Sequence, residues 1–166
     1  MIIFEDRITG AELCSDAYDM TLVDDAVYEV DAQLITVKEG DVDIGANPSA
    51  EGGDEDFGEE SGEQIINIVR SFNLQSIPAY DKKAYLSELK KYFKRLSGVL
   101  EAEEFNDFKS KATAYATKVA KNIKDYDFYI AEDLNPDGMI VLCNYREDGV
   151  TPYFVFWKAG LKGQKV

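Results

Sequence analysis

Two stretches in the middle of the chain place apolar residues at the three- and four-residue steps of an α-helix. The first begins after Asp81, whose side chain can accept the unpaired amide protons of a helix start, and Ser97-Gly98 weakens its end. Its apolar stripe comprises Tyr85, Leu86, Leu89, Tyr92, Phe93, Leu96 and Leu100. The second begins near Ala102, and its stripe comprises Phe105, Phe108, Ala112, Tyr115, Val119 and Ile123. Because only a short link separates them, the stripes predict an antiparallel helical hairpin over residues 81–124.

Short extended segments lie on both sides of this hairpin. Alternation, or runs of β-branched and aromatic residues, predict strands at Met1–Phe4, Val27–Val30, Leu34–Val37, 66–74, Phe128–Ile130, Met139–Leu142 and Tyr153–Trp157. Asn135-Pro136-Asp137-Gly138 has the residues of a type I turn, and Arg146-Glu147-Asp148-Gly149 predicts another turn. Strands before and after one helical insertion predict an α+β fold, mainly antiparallel, in a single domain over residues 1–166.

The segment between the early strands and the hairpin is strongly acidic. Residues 38–63 hold ten acidic residues against one lysine, and six of the chain's twelve glycines. Such a tract buries too little apolar surface to offset the entropy of ordering it, so we predict a mobile loop. A calcium loop begun at Asp41 would put Ala46 at the position that requires glycine. Loose calcium binding by these carboxylates and a merely solvated loop both stay open.

Charge is divided unevenly along the chain. Residues 81–125 carry eleven basic and seven acidic residues, a net of +4, whereas the whole chain carries −14. The basic residues occupy helix positions that the apolar stripes leave to solvent, which favours a binding face for an acidic protein surface. Contact with the chain's own acidic loop is the competing interpretation. The candidate binding residues are Lys82, Lys83, Lys90, Lys91, Lys94, Arg95, Lys109, Lys111, Lys118 and Lys121.

The residue types of common enzyme sites are scarce. The chain has no histidine, and Cys14 and Cys143 match neither a disulfide framework nor a zinc-ligand spacing. Cys143 lies among apolar neighbours, and Cys14 lies beside acids that raise a thiol pKa, so neither is expected to act as a nucleophile. No phosphate-binding loop is present. Any catalysis would need carboxylates, thiols, lysines or a bound cofactor. The residues therefore favour a docking protein, for which no cofactor is predicted, over an enzyme.

The composition also bears on location and partners. No apolar run approaches the roughly 18 residues needed to cross a bilayer, and the first residues lack a signal-peptide pattern. Two distant cysteines favour a reducing compartment, and the net charge of −14 opposes general binding to nucleic acid. We expect an intracellular protein with neither a membrane nor a specific nucleic acid as partner.

Two long motifs stand far apart in the chain. The first is Ile44-Gly45-Ala46-Asn47-Pro48-Ser49-Ala50-Glu51-Gly52. The second is Phe128-Tyr129-Ile130-Ala131-Glu132 with Asn135-Pro136-Asp137-Gly138-Met139, continuing into Tyr145-Arg146-Glu147-Asp148-Gly149-Val150-Thr151-Pro152-Tyr153. Both motifs resemble the signatures of the translationally controlled tumour protein (TCTP) family. The signature residues are Asn47, Pro48, Ser49, Glu51, Glu132, Asn135, Pro136, Asp137 and Gly138. Ala131 departs from the glycine that the family usually has there.

This resemblance implies a tent-like, twisted β core with an inserted helical hairpin and a mobile acidic loop, similar to the fold of a small-GTPase chaperone. It implies a cytoplasmic, cytoskeleton-associated protein without enzymatic activity that binds tubulin and stabilises microtubules. Association with protein synthesis, through translation elongation factors or the ribosome, and weak calcium binding are implied as well. The family's tubulin contact is placed in the helical region, where this chain has its lysines.

The resemblance also suggests a second function, regulation of a small GTPase as exchange factor or chaperone. The family's exchange activity depends on a glutamate that corresponds to Glu12. A carboxylate there could disturb the magnesium of a bound nucleotide. Glu12 equally fits the start of a strand or the cap of a turn, and a shared fold does not confer an activity.

Overall fold

The computed structural model describes residues 1–38 and 62–165. The predicted mobile loop was too long at both ends, because Lys38, Gly62 and Glu63 belong to paired strands. Its remainder, the calcium interpretation at Asp41 and the first family motif lie outside the described residues. The strands are β1 (Ile2–Asp6), β2 (Glu12–Ser15), β3 (Asp19–Val23), β4 (Val27–Asp31), β5 (Leu34–Lys38), β6 (Gly62–Ile66), β7 (Gln75–Ile77), β8 (Asp127–Ile130), β9 (Val141–Tyr145), β10 (Pro152–Trp157) and β11 (Leu161–Lys165). The helices are α1 (Asn67–Phe72), α2 (Lys82–Ser97) and α3 (Ala102–Lys121), with 3₁₀ turns at Ile123–Asp125 and Lys158–Gly160.

The described strands form three sheets, and every strand pair in them is antiparallel. The largest sheet has six strands in the order β3-β4-β10-β9-β8-β7. A three-stranded sheet has the order β11-β1-β2, and β5 pairs with β6. The predicted α+β, mainly antiparallel fold is confirmed.

The helical hairpin packs on the large sheet through aromatic side chains. Trp157, at the end of the central strand β10, is surrounded by Phe93 of α2 and by Phe108 and Tyr115 of α3, with ring centroids 5.3, 6.3 and 6.0 Å away. Tyr85, near the start of α2, packs on Phe128 of β8, with ring centroids 5.7 Å apart. Both predicted stripes therefore supply core residues, and α2 starts as predicted, with the Asp81 carboxylate accepting the Ala84 amide at 2.7 Å.

One predicted strand is wrong. The segment 66–74 alternates in polarity, but the structure has the end of β6 at Ile66 and then the helix α1. Ile68 and Phe72 are four residues apart and both pack on the core. This spacing places two residues on one face of a helix as well as on one face of a strand. Asn73 ends the helix in a left-handed conformation, with φ of 53°. For so short an element, tertiary contacts decide the conformation.

Other differences lie at element edges. The strand predicted from Met139 begins at Val141, because the Met139 amide donates to the buried Asp6 carboxylate at 2.6 Å instead of to a neighbouring strand. The strands β2, β3, β7 and β11 were not individually predicted, and of β6 only Ile66 lies in a predicted strand. Both predicted turns are present: the Gly138 amide donates to the Asn135 carbonyl at 3.0 Å, and the Gly149 amide donates to the Arg146 carbonyl at 2.9 Å.

Candidate interaction surface

The outward face of α2 carries five exposed lysines. They are Lys82, Lys83, Lys90, Lys91 and Lys94. The opposite face is buried, because its side chains contact the sheet and α3. Among these lysines, Lys91 alone has a salt bridge within the described residues, 3.1 Å to Glu88 one turn earlier. An exposed pair of this kind contributes little and opens readily. The described part of the chain therefore leaves the lysines of α2 available to another acidic surface.

Arg95 differs from these lysines because it faces the body of the protein. Its side chain is half-buried, and its guanidinium lies 3.2 Å from the carboxylate of Asp137 in the turn before β9. Arg95 therefore attaches α2 to that turn, and its availability to a partner is lower than the sequence suggested.

The basic side chains of α3 and the following turn divide in the same way. Those exposed are Lys109, Lys118, Lys121 and Lys124. Lys109 lies over the ring of Phe105 at 6.0 Å, and Lys118 lies over the ring of Tyr115 at 5.3 Å. A cation over an aromatic face keeps its outer side in water, so these ammonium groups stay accessible.

Lys111 is held inside a cluster of charges. Its ammonium lies 2.5 Å from Asp25, in the turn between β3 and β4, and 3.1 Å from Asp107. Lys158 approaches the same Asp25 carboxylate at 2.6 Å. The hydrogen bond from Lys111, followed by that from Lys158, lowers the pKa of Asp25 to about 2. Lys111 therefore links α3 to the sheet rather than presenting a charge to solvent.

Within the described residues, three of the eleven basic residues of the hairpin have carboxylate partners. These are Lys91, Arg95 and Lys111. The other eight have no salt bridge to any residue in ranges 1–38 and 62–165. The hairpin thus keeps most of its positive charge for contacts beyond the described part of the chain.

A groove runs between α2 and α3 on this basic face. Leu86, Leu89 and Phe93 line it from α2, and Phe105 and Ala116 line it from α3. Its volume is about 760 Å³. Four lysines line it and no carboxylate does: Lys90, Lys91, Lys94 and Lys109. The groove was not predicted from the sequence, because both apolar stripes were used only to predict the antiparallel hairpin. The sequence feature that could have indicated the groove is the width of the α2 stripe, which leaves Leu86 at its border 37% exposed.

The second family motif contributes a clamp that the sequence did not reveal. Arg146 donates to Glu29 at 2.6 Å and to Asp31 at 2.8 Å, both on β4, and its guanidinium stacks 3.9 Å above the ring of Tyr153. The other oxygen of Glu29 accepts the hydroxyl of Tyr115 in α3 at 2.8 Å. This network fixes α3 on the sheet and so positions the basic face.

The same motif also joins three parts of the fold around a buried carboxylate. Asp6 is 1% exposed and accepts the Met139 amide, and an ideal Cβ on Gly138 would lie 2.9 Å from its Oδ2. Burial raises the pKa of Asp6, although hydrogen bonds from the Met139 and Ile8 amides act in the opposite direction. Glycine is needed at 138 because of this close approach. Ala131 is buried without a positive φ, so alanine fits there.

Glu12 is exposed at the start of β2, as one of the two sequence interpretations expected. It lines a cleft of about 370 Å³ together with Thr9, Asn73, Glu132 and Asp133. The side-chain amide of Asn73 donates to the Glu132 carboxylate at 3.0 Å. The fold therefore brings Glu12 to the same cleft as Glu132 of the second motif, which is 120 positions away in the chain.

The remaining candidate chemistry is not supported by geometry. Cys14 and Cys143 are both buried, and burial raises the pKa of each thiol, for Cys143 to about 12. Within the described ranges, no three histidine, cysteine or acidic side chains come together in a way that could hold a metal ion. No helix in those ranges is long and apolar enough to cross a membrane.

Comparison with known proteins identifies the family. The family profile described as translationally controlled tumour protein matches residues 1–162. A translationally controlled tumour protein homologue from Yarrowia lipolytica is 52% identical over the full length of both chains. The solved structure of the Schizosaccharomyces pombe protein is 49% identical, covers 100% of both chains and superposes with a TM-score of 0.81. That of the Caenorhabditis elegans protein is 29% identical, covers 100% of this chain and 99% of its own, and has a TM-score of 0.72. This chain therefore belongs to the translationally controlled tumour protein family.

Proposed function

We propose that this chain is a non-enzymatic interaction protein that binds and stabilises microtubules through the basic face of its helical hairpin. The proposal includes a cytoplasmic, cytoskeleton-associated location, association with the translation elongation machinery and weak calcium binding. The observation that carries it is the set of eight hairpin cations without a salt bridge in the described part of the chain. An acidic protein surface such as that of tubulin is their electrostatic complement.

Exposed charges at such a contact act mainly by attraction over short distances. At physiological ionic strength this attraction is screened beyond about 8 Å. Binding should therefore weaken steadily as salt is added. A contact dominated by buried apolar surface would respond much less to salt.

A matched pair of charge reversals tests the proposal. Lys90→Glu with Lys94→Glu inverts two exposed cations of α2 that have no salt bridge within residues 1–38 and 62–165. Lys162→Glu with Lys165→Glu inverts two exposed lysines of β11. Each pair lowers the net charge by four, so general repulsion from tubulin is the same. In co-sedimentation with microtubules we expect the α2 pair to abolish binding and the β11 pair to retain it. Equal binding by both pairs would contradict the proposal.

An alternative function is regulation of a small GTPase through the cleft at Glu12. The observation in its favour is the meeting of Glu12 and Glu132 at one concave site. Carboxylates beside a bound nucleotide would compete for its magnesium ion and so favour nucleotide release. Glu12→Gln should then slow the release of a fluorescent nucleotide from the GTPase, while Glu147→Gln, an exposed residue elsewhere, should not. Release rates that do not change on addition of the wild-type chain would exclude this function.

A further inference from the structure

We infer that the groove between α2 and α3 is the docking site for an acidic, amphipathic helix of a partner protein. This inference rests on the proposed function, because it takes the hairpin as the binding surface. It adds that the partner must supply apolar side chains as well as negative charge. A purely polyanionic segment would leave the groove between the two helices empty.

The floor of the groove is apolar. Leu89, Phe93 and Ala116 are 5%, 8% and 5% exposed, and they form a shallow base between the helices. Leu86 rises from this base with 37% of its surface exposed. A contiguous apolar depression on a soluble protein marks an interaction site more often than a single exposed leucine does.

Three of the four hydroxyl groups that line the groove are already satisfied, and the fourth, that of Ser87, is exposed to solvent. Thr113 donates to the Lys109 carbonyl at 2.7 Å, and Thr117 donates to the Thr113 carbonyl at 2.9 Å, both within α3. Ser97 donates to the Lys94 carbonyl at 2.6 Å within α2. Because these three protons are used within their own helices, the three hydroxyl groups do not require a polar partner. Apolar side chains can be buried there without leaving these donors unpaired.

The charges around the groove define the sign of the charge that the partner must carry. Lys90 and Lys94 stand on the α2 side and Lys109 on the α3 side, and none of the three has a salt bridge within the described residues. A partner helix lying between them would therefore carry acidic residues on both flanks of its apolar stripe. A second copy of this chain would bring the same lysines, so like charges oppose self-association through this face.

The backbone of the groove favours a helix over a strand. Both walls are α-helices whose amide and carbonyl groups are paired along their own axes, so they offer no free edge for an added strand. A helix satisfies its own backbone and presents only side chains. The lining residues span Leu86–Ser97 and Phe105–Thr117, which corresponds to about 17 Å, or three helical turns. Apolar anchors at positions i, i+3 or i+4, and i+7 would fit this length.

The test uses a synthetic, capped peptide of leucine, glutamate and alanine with its leucines on one helical face. A second peptide of the same composition has its leucines distributed around the helix. Binding to the full chain is measured by fluorescence anisotropy at about 0.15 M salt, where remote charges are screened. We expect the amphipathic peptide to bind about tenfold more tightly than the control peptide. Equal affinity of the two peptides would overturn the inference.

Variants of the groove separate apolar docking from charge. Leu86→Ser should weaken binding of the amphipathic peptide about tenfold, whereas Leu22→Ser, which removes a similarly exposed leucine from β3, should leave it unchanged. Thr113→Glu, at an exposed position, should weaken binding by placing a carboxylate at the groove. Thermal unfolding of each variant checks that it folds. If neither groove substitution changes peptide binding, the groove is not the docking site.

The two proposals fail separately. If Lys90→Glu with Lys94→Glu abolishes microtubule binding while Leu86→Ser and Thr113→Glu retain full peptide binding, charge docking stands and the groove inference is overturned. If the peptides and groove variants behave as expected but the wild-type chain does not co-sediment with microtubules, the groove inference is supported and the microtubule proposal fails.

Discussion

The hydroxyl of Tyr92 donates a hydrogen bond to the carboxylate of Asp6 at 3.2 Å, in the interior of the protein. Asp6 ends β1 in the three-stranded sheet, and Tyr92 lies in the middle of α2. The same carboxylate accepts the amides of Ile8 at 2.9 Å and of Met139 at 2.6 Å. One buried side chain thus joins the N-terminal sheet, the hairpin and the second family motif.

Replacing Asp6 should destabilise the fold strongly. Asp6→Ala leaves the Met139 amide and the Tyr92 hydroxyl without their acceptor in a buried place, and each unsatisfied donor costs about 1–3 kcal/mol. Urea unfolding should show the loss. Asp16→Ala, at an exposed acceptor of the Ile2 amide, is the control and should cost far less. Similar losses for both would mean that the buried carboxylate has no special role.

The clamp on β4 predicts that arginine cannot be exchanged for lysine at position 146. Lysine keeps the charge but loses the two-pronged contact with Glu29 and Asp31 and the stacking on Tyr153. We expect Arg146→Lys to lower the free energy of unfolding by about 2 kcal/mol. Arg70→Lys, at an exposed position of α1, should change it by less than about 0.5 kcal/mol. Chemical denaturation gives the free energy of unfolding of both variants, and equal values would contradict the role of the clamp.

Two glycines should respond to alanine in opposite directions. At Gly138 the added Cβ would lie 2.9 Å from an oxygen of Asp6 and 3.3 Å from the Asn135 carbonyl, so Gly138→Ala should destabilise the protein by about 1–3 kcal/mol. Gly98 caps α2 with φ of −81°, and a Cβ added there would lie 3.4 Å from the Arg95 carbonyl oxygen, its nearest neighbour. Gly98→Ala should be neutral or stabilise by about 0.5 kcal/mol, because alanine has less freedom in the unfolded chain. The order of the two melting temperatures checks the prediction.

The link between Lys111 and Asp25 should depend on pH. Because the pKa of Asp25 is lowered to about 2 in the folded protein, mainly by the hydrogen bond from Lys111, its charged form stabilises the fold. That contribution is fully present above the ordinary carboxyl pKa of about 4, and it is lost as the pH falls towards 2.

Asp25→Asn should therefore lower the melting temperature at pH 7 but match the wild type near pH 2. Asp19→Asn, an exposed carboxylate of β3 without a salt bridge in the described residues, serves as the control. A difference between Asp25→Asn and the wild type that is the same at every pH would contradict this origin of the stability. Added salt should reduce the difference at pH 7, because both partners are partly exposed.

Much of the hairpin was predictable because its signal is local. The apolar stripes of α2 and α3 each extend over several turns, and the Asp81 cap lies directly before the first helix. The helix α1 was not predictable in this way. With only six residues, its pattern fits a strand equally well, and contacts from Ile68 to distant parts of the core decide the outcome.

The candidate site was predictable only in part for a related reason. The lysines could be located from helical spacing, but their pairing could not, because Lys111 meets Asp25 and Arg95 meets Asp137 only after folding. The groove exists only where the two stripes lie side by side. The cleft at Glu12 likewise depends on residues far apart in the chain.

Trp157 is the only tryptophan in the chain, and it stands where both helices of the hairpin meet β10. Its indole is 1% exposed, so its emission belongs to a dry environment created by that contact. Any event that lifts the hairpin would admit water and shift the fluorescence to longer wavelengths. The protein thus contains a natural optical reporter of whether the hairpin stays seated when a partner binds.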